Sequence, residues 1–269
     1  MNIYEPYAAL TAIDANKTTI MIYLLITVVA AFLYFAIAVK MAIQQKVYVV
    51  PFIGAALFFW HDLTFVLMYD TWFTVYDHWW VKMWWFALVG TVLFEVLMIV
   101  QVYQYGHKEL WPSLSKRAFG ALLVLGTLGV GGMWYLIKVS MGDELFFITF
   151  VITAVFSVPF HTAIMSRRQS QAGQSIIMNL STIVMMWCET AAFAQAAPFF
   201  KSTPYLIFVA VFTLWPLANI AIKLRLPKNQ PAGTKRFNKL ATHQYHTRHC
   251  PSTPSIHRSH RMGACARVI

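Results

Sequence analysis

Residues 19–39 read TIMIYLLITVVAAFLYFAIAV, an unbroken run of 21 residues without one charged side chain. A helix rises about 1.5 Å per residue, so a run of this length crosses the roughly 30 Å hydrocarbon core of a bilayer. Strands of a membrane barrel would alternate in and out over about 10 residues, and this run does not alternate. Working outward from it, six further apolar stretches follow at close intervals: 47–69, 81–105, 117–137, 144–165, 174–198 and 203–222. The chain is 59% hydrophobic and 12% charged, with a mean hydropathy of +0.58, which sets it apart from ordinary soluble domains. The sequence therefore predicts an all-α polytopic membrane protein, a bundle of seven transmembrane helices in a plasma membrane or endomembrane.

Charge in the connections sets the expected orientation. The loops after spans one, three and five and the stretch after span seven carry ten Lys and Arg, from Lys40 to Lys228, whereas the opposite set carries only Lys17, Lys82, Lys138 and Lys201. This excess puts the N-terminus outside and the C-terminus in the cytoplasm, and places Trp72, Trp79 and Trp80 in an aromatic belt at the outer interface. Residues 1–18 read as a polar outer lead without the basic n-region and small-residue cleavage site of a removed signal. Residues 19–226 form the membrane domain, and residues 227–269 a basic cytoplasmic tail.

The net charge of +11 belongs mainly to that tail. From Lys235 onward there are seven Lys and Arg and no acid, leaving residues 1–234 with 14 basic and 10 acidic residues, a charge of +4. The tail lacks apolar periodicity and is rich in Pro, Ser, Thr and His, a composition that predicts disorder. His243, His246, His249 and Cys250 are spaced as metal ligands can be, yet no second pair stands at zinc-finger distance. No metal or other cofactor and no nucleic-acid partner are expected. Cys188 falls in the sixth span and the other two cysteines in the tail, so no disulfide framework is expected.

Ionisable groups are costly within a bilayer and usually face the bundle interior or a cavity. Three acids lie in the spans: Asp62 about 10 Å from the outer end of the second, Glu189 about 13 Å from the outer end of the sixth, and Glu95 near the midplane of the third. At these depths the three can line one cavity. A second polar layer lies toward the cytoplasmic side and comprises Gln101, His161, Asn179, Ser181 and Asn219. An intramembrane His or Asn often makes only an interhelical hydrogen bond, which is the competing account of His161 and Asn219. Gly126, Gly129, Gly131 and Gly132 in the fourth span suit close helix packing.

A carboxyl buried in hydrocarbon keeps its proton, and a neutral carboxylic acid in an apolar pocket is a proton donor. Asp62, Glu95 and Glu189, with His61, are therefore the candidate catalytic groups, able to protonate an alkene or epoxide. The ring faces of Phe59, Trp60, Trp85, Phe94 and Trp187 are candidates to stabilise the resulting carbocation, and exclusion of water keeps it from being quenched. Asn179, Asn219 and His161 complete the candidate substrate-binding set. The partners expected are the lipid bilayer and a lipophilic small-molecule substrate.

Four stretches give the chain a resemblance to a known family. They are QQKVYVVPFIGAALFFWHD (44–62), WWFALVGTVLFEVLMIVQVYQYG (84–106), SQAGQSIIMNL (170–180) and LWPLANIAI (214–222). In order and character they resemble the integral-membrane terpene cyclases of fungal meroterpenoid and indole-diterpene pathways and their bacterial relatives. The resemblance covers about residues 40–225 and implies a seven-helix bundle that cyclises an isoprenoid chain by acid initiation, without metal or diphosphate ionisation. The departures fall on the chemistry. His61 stands where the family has an acid directly after Trp, the carboxylate has moved to Asp62 about 100° around the helix, and Asn219 stands where an Asp is expected.

Adjacent helix positions do not face each other, so a direct His61–Asp62 pair is not expected, and Asp62 with Glu189 or His61 with Glu95 are the expected partnerships. Three function classes stay open: an enzyme that cyclises or isomerises a lipophilic isoprenoid-like or sterol-like substrate, a small-molecule transporter or receptor, and an accessory membrane subunit. Transporters often show internal repeats, and no convincing repeat is present. A retinal pigment is disfavoured, because the seventh span has no lysine in its interior.

Overall fold

A computed structural model describes residues 4–228. The expected disorder of the tail and the His243, His246, His249 and Cys250 spacing both fall outside the described residues. The helices are α1 (Pro6–Ala15), α2 (Lys17–Gln45), α3 (Phe52–Leu67), α4 (Trp79–Tyr105), α5 (His107–Leu110), α6 (Lys116–Met141), α7 (Phe147–Arg168), α8 (Ile176–Ala196) and α9 (Thr203–Arg225). Among the described residues there is no strand. The chain is an all-α polytopic bundle, with α2, α4, α6, α7, α8 and α9 each long and apolar enough to cross a membrane.

The expected second span differs. Its helix begins only at Phe52, because Pro51 has no amide proton to give and holds extended backbone (φ −60°, ψ 154°) at the N-cap. At 16 residues α3 is shorter than the six helices that are long and apolar enough to cross a membrane. Met68 interrupts it, and helical turns resume to end in a π-helical stretch, Thr71–Val75.

α8 runs along α2 and packs against α7 and α9, while α3 lies between α4, α6 and α7. The aromatic core collects at the α1 end, where Trp72, Trp80, Phe146, Phe147, Phe193 and Phe200 are all fully buried. Trp72 and Trp80 therefore do not form an interfacial belt. Trp72 stacks on Phe65 at 4.4 Å and donates its indole proton to the Phe65 carbonyl at 2.7 Å, and Trp80 meets Phe147 edge-on at 4.9 Å. The belt expectation failed because the polar lead is itself a helix that covers this end. Ala9, Leu10 and Ile13 of α1 are buried, and Glu5 caps α1 by accepting from the Tyr7 and Ala8 amides.

Polar ties fix both ends of the bundle. At the α1 end, Tyr4 donates to Asp143 at 2.6 Å, Asp143 also accepts from the Ile148 and Thr149 amides, and Trp79 donates to Asp14 at 2.7 Å. Burial, with Asp143 beside it, pushes the Tyr4 hydroxyl well above the ordinary tyrosine range, so it stays a donor. At the α5 end, Arg168 grips both Glu109 oxygens at 2.9–3.2 Å and donates to the Tyr48 carbonyl at 3.0 Å. This fork ties the end of α7 to α5 and to the extended segment before α3.

The α6 glycines divide by face. A Cβ on Gly131 would lie 2.4 Å from the Trp60 ring, and one on Gly126 would lie 2.7 Å from the Phe52 ring, whereas Gly129 and Gly132 face open space. Close packing accounts for the first pair only.

Candidate functional site: three carboxyls in one aromatic cavity

Asp62 of α3, Glu95 of α4 and Glu189 of α8 line the same cavity, of about 80 Å³. That is room for several water molecules or a small ligand. Helical periodicity builds its walls. Phe58 precedes Asp62 by one turn, Trp84, Leu88 and Thr91 lead to Glu95 at intervals of three and four, and Met185 precedes Glu189 by one turn, all of them lining residues. α7 contributes Phe150 and Ser157, and α2 contributes Thr27, Phe32, Tyr34 and Phe35. Trp84 and Phe150 stack at 4.6 Å, with 25° between their planes.

The three acids have different surroundings. Asp62 is tied down, since His61 Nδ1 lies at hydrogen-bond distance from Oδ1, 2.6 Å, and the Thr91 hydroxyl donates to Oδ2. Glu95 is fully buried, and neither of its oxygens has a protein hydrogen-bond partner. Glu189 leaves Oε2 without one. Two potential donors of the lining, Trp84 Nε1 and Thr27 Oγ1, also lack protein partners. The cavity is thus an apolar, aromatic space into which a few polar atoms project unpaired, an arrangement typical of small-molecule sites.

The direct His61–Asp62 bond corrects the expected pairing. Neighbouring helix positions point about 100° apart, but both polar atoms sit only two bonds from Cβ, close to the axis where that divergence is still small. His61 does not line the cavity or meet Glu95. Its ring is enclosed by Trp134, Phe146 and Phe150 at centroid distances of 5.0–5.5 Å, and Nε2 is buried without a partner. Phe146 holds this position with left-handed backbone, φ 62°, a conformation that bulky residues adopt only where packing enforces it.

The aromatic residues expected around the acids are elsewhere. Trp60 donates to the Thr127 carbonyl at 2.6 Å and packs on Gly131, with Phe59 edge-on against it. Trp85 donates to the Val66 carbonyl at 2.9 Å. Phe94 stands behind the cavity, stacked on the lining ring of Phe35. Trp187 is exposed and bonded to Thr213. Rings that line the cavity with the acids include Trp84, Phe150, Phe58 and Phe35; turn spacing from an acid on the same helix signals Phe58 and Trp84, whereas Phe35 and Phe150 come from helices without an acid.

Asn219 is a structural tie. It donates to the Val158 carbonyl at 3.1 Å and accepts from Thr162 at 2.6 Å, joining α9 to α7 beside Pro159. His161 and Asn179 are buried and do not line the cavity; Asn179 donates to the Ser175 carbonyl at 2.9 Å, and His161 Nε2 is 3.1 Å from the hydroxyl of Tyr34, a cavity residue. Compared with family models, with curated proteins and with solved structures, the chain finds no match in any of the three.

Proposed function

We propose that the chain is a membrane-embedded enzyme that protonates a lipophilic, isoprenoid-like substrate and so starts its cyclisation or isomerisation. The observation that carries this reading is the convergence of Asp62, Glu95 and Glu189 in one aromatic-lined cavity. The orientation expected from the loop charges, N-terminus outside with α3 as a seventh crossing, belongs to the same proposal.

The roles follow from the surroundings. Glu95 has no hydrogen bond to sustain a negative charge, so the carboxylic acid is the form its site tolerates, and it is the proton donor. Its proton passes to an alkene carbon or an epoxide oxygen, and the positive charge that develops faces Trp84 and Phe150. Asp62, steadied by His61 and Thr91, accepts the proton lost from the final cation. Passage of that proton back to Glu95 within the cavity restores the starting state, so substrate and product are isomers. A chain longer than the cavity requires the seam between α2 and α4 to part, where the Phe32 ring lies within 3.0 Å of a Cβ placed on Gly90.

A second reading is a small-molecule carrier, supported by the polar residues that continue from Tyr34 through His161. Membranes carrying the wild type, Asp62→Asn, Glu95→Gln or Glu189→Gln, fed polyprenyl alkenes and epoxides, separate the two. The enzyme reading expects isomeric product from the wild type and a loss of roughly 10²–10⁴-fold in Glu95→Gln. Uptake of unchanged substrate into vesicles, with no product, favours the carrier.

A further inference from the structure

We infer that Tyr34, His161 and Gln174 form a proton-conducting path between the carboxyl cavity and the loop joining α7 to α8. This role goes beyond the reaction proposed above and does not depend on it. Tyr34 lines the cavity, and its hydroxyl meets His161 Nε2 at 3.1 Å. The other imidazole nitrogen, Nδ1, is buried without a protein partner. Gln174, in the loop before α8, lies next to that ring without closing a hydrogen bond to it. It is only 4% exposed, and both ends of its amide are buried without a partner. Asn179 Oδ1, one helical turn past Ser175, is a further unpaired atom.

Three buried, unpaired polar atoms on the neighbouring side chains of His161 and Gln174 are unusual, because buried polar groups are almost always hydrogen-bonded to protein or water. Water is the partner that fits all three, since it donates to Gln174 Oε1, accepts from Gln174 Nε2 and pairs with His161 Nδ1 in either tautomer. An imidazole between a hydroxyl and such waters takes a proton on one nitrogen and releases one from the other. Tyr34, which donates and accepts through the same oxygen, relays the proton to the cavity. The loop end reaches the surface through Gln171 and Ser175, which are half-buried. Each transfer moves one proton and leaves every residue as it began once the chain has reset.

The path sets how fast the cavity carboxyls exchange protons with the solution. The test uses the full chain in nanodiscs without substrate, moved from H₂O to D₂O while the infrared carbonyl band of its protonated carboxyl groups is followed. Glu95→Gln identifies the contribution of the cavity. The path predicts exchange of that contribution about tenfold slower in His161→Gln and in Tyr34→Phe, with wild-type rates in Trp187→Phe. His161→Gln keeps a hydrogen-bonding side chain and cannot relay by its second nitrogen, so a merely structural histidine would leave its rate unchanged. Wild-type exchange in folded His161→Gln and Tyr34→Phe would overturn the path. Slowed exchange in a protein that converts no substrate would leave the path standing and remove the enzyme reading.

Discussion

At the residue scale, the three cavity acids differ in what holds them: His61 and Thr91 bond to Asp62, whereas neither oxygen of Glu95 has a protein partner. A carboxyl in an apolar run stands out by its cost, so Asp62, Glu95 and Glu189 could be singled out from composition and depth. The bond from His61 to Asp62 depends on how two short side chains lean, which spacing alone does not report. The aromatic partners were misassigned for a related reason. Phe94 and Trp60 lie one and two positions from an acid in sequence and so point elsewhere, whereas Phe58, Thr91 and Met185 lie one turn away and share its face. The Thr91 contact yields a specific expectation. Thr91→Val keeps the shape and removes the donor to Asp62, and a hydrogen bond to a charged group is worth about 1.5–3 kcal/mol. Turnover should fall roughly tenfold or more while the melting temperature in detergent changes little, and an unchanged rate would remove Asp62 as proton acceptor.

At the scale of elements, six of the seven expected spans coincide with helices long and apolar enough to cross a membrane, with ends that agree to within six residues, because an apolar run of that length marks a helix by itself. α1 was missed because ten residues within a polar lead carry too little periodicity, although Pro6 and the capping Glu5 mark its start. Gly131→Ala drives a methyl into the Trp60 ring and should cost about 1–3 kcal/mol. Gly132→Ala, which meets nothing, should stay within about 0.5 kcal/mol of the wild type, and thermal unfolding of the two in detergent makes the comparison. α1 carries a pH dependence of its own. The hydrogen bond from Trp79, helped by His78, holds the Asp14 carboxyl below its ordinary value of 3.8. A lowered carboxyl contributes stability above that value and loses it as the pH falls through the lower one. The difference in melting temperature between wild type and Asp14→Asn should therefore be full above pH 3.8 and shrink below it.

At the scale of the whole molecule, the membrane class follows from the helices, while the number of crossings turns on α3. Single cysteines introduced at Gln44 and Asp77, two exposed positions that flank α3, decide it with a membrane-impermeant maleimide on intact cells. Seven crossings with the N-terminus outside predict labelling at position 77 and none at position 44. Equal labelling at both would mean that α3 enters and leaves by the same face. The central claim is that the cavity gives a proton to its substrate, and turnover in D₂O tests it most directly. The account predicts a product isomeric with the substrate, carrying one deuterium at the site of initiation and lost in Glu95→Gln. A product without deuterium, or recovery of only unchanged substrate from folded wild-type protein, would contradict it.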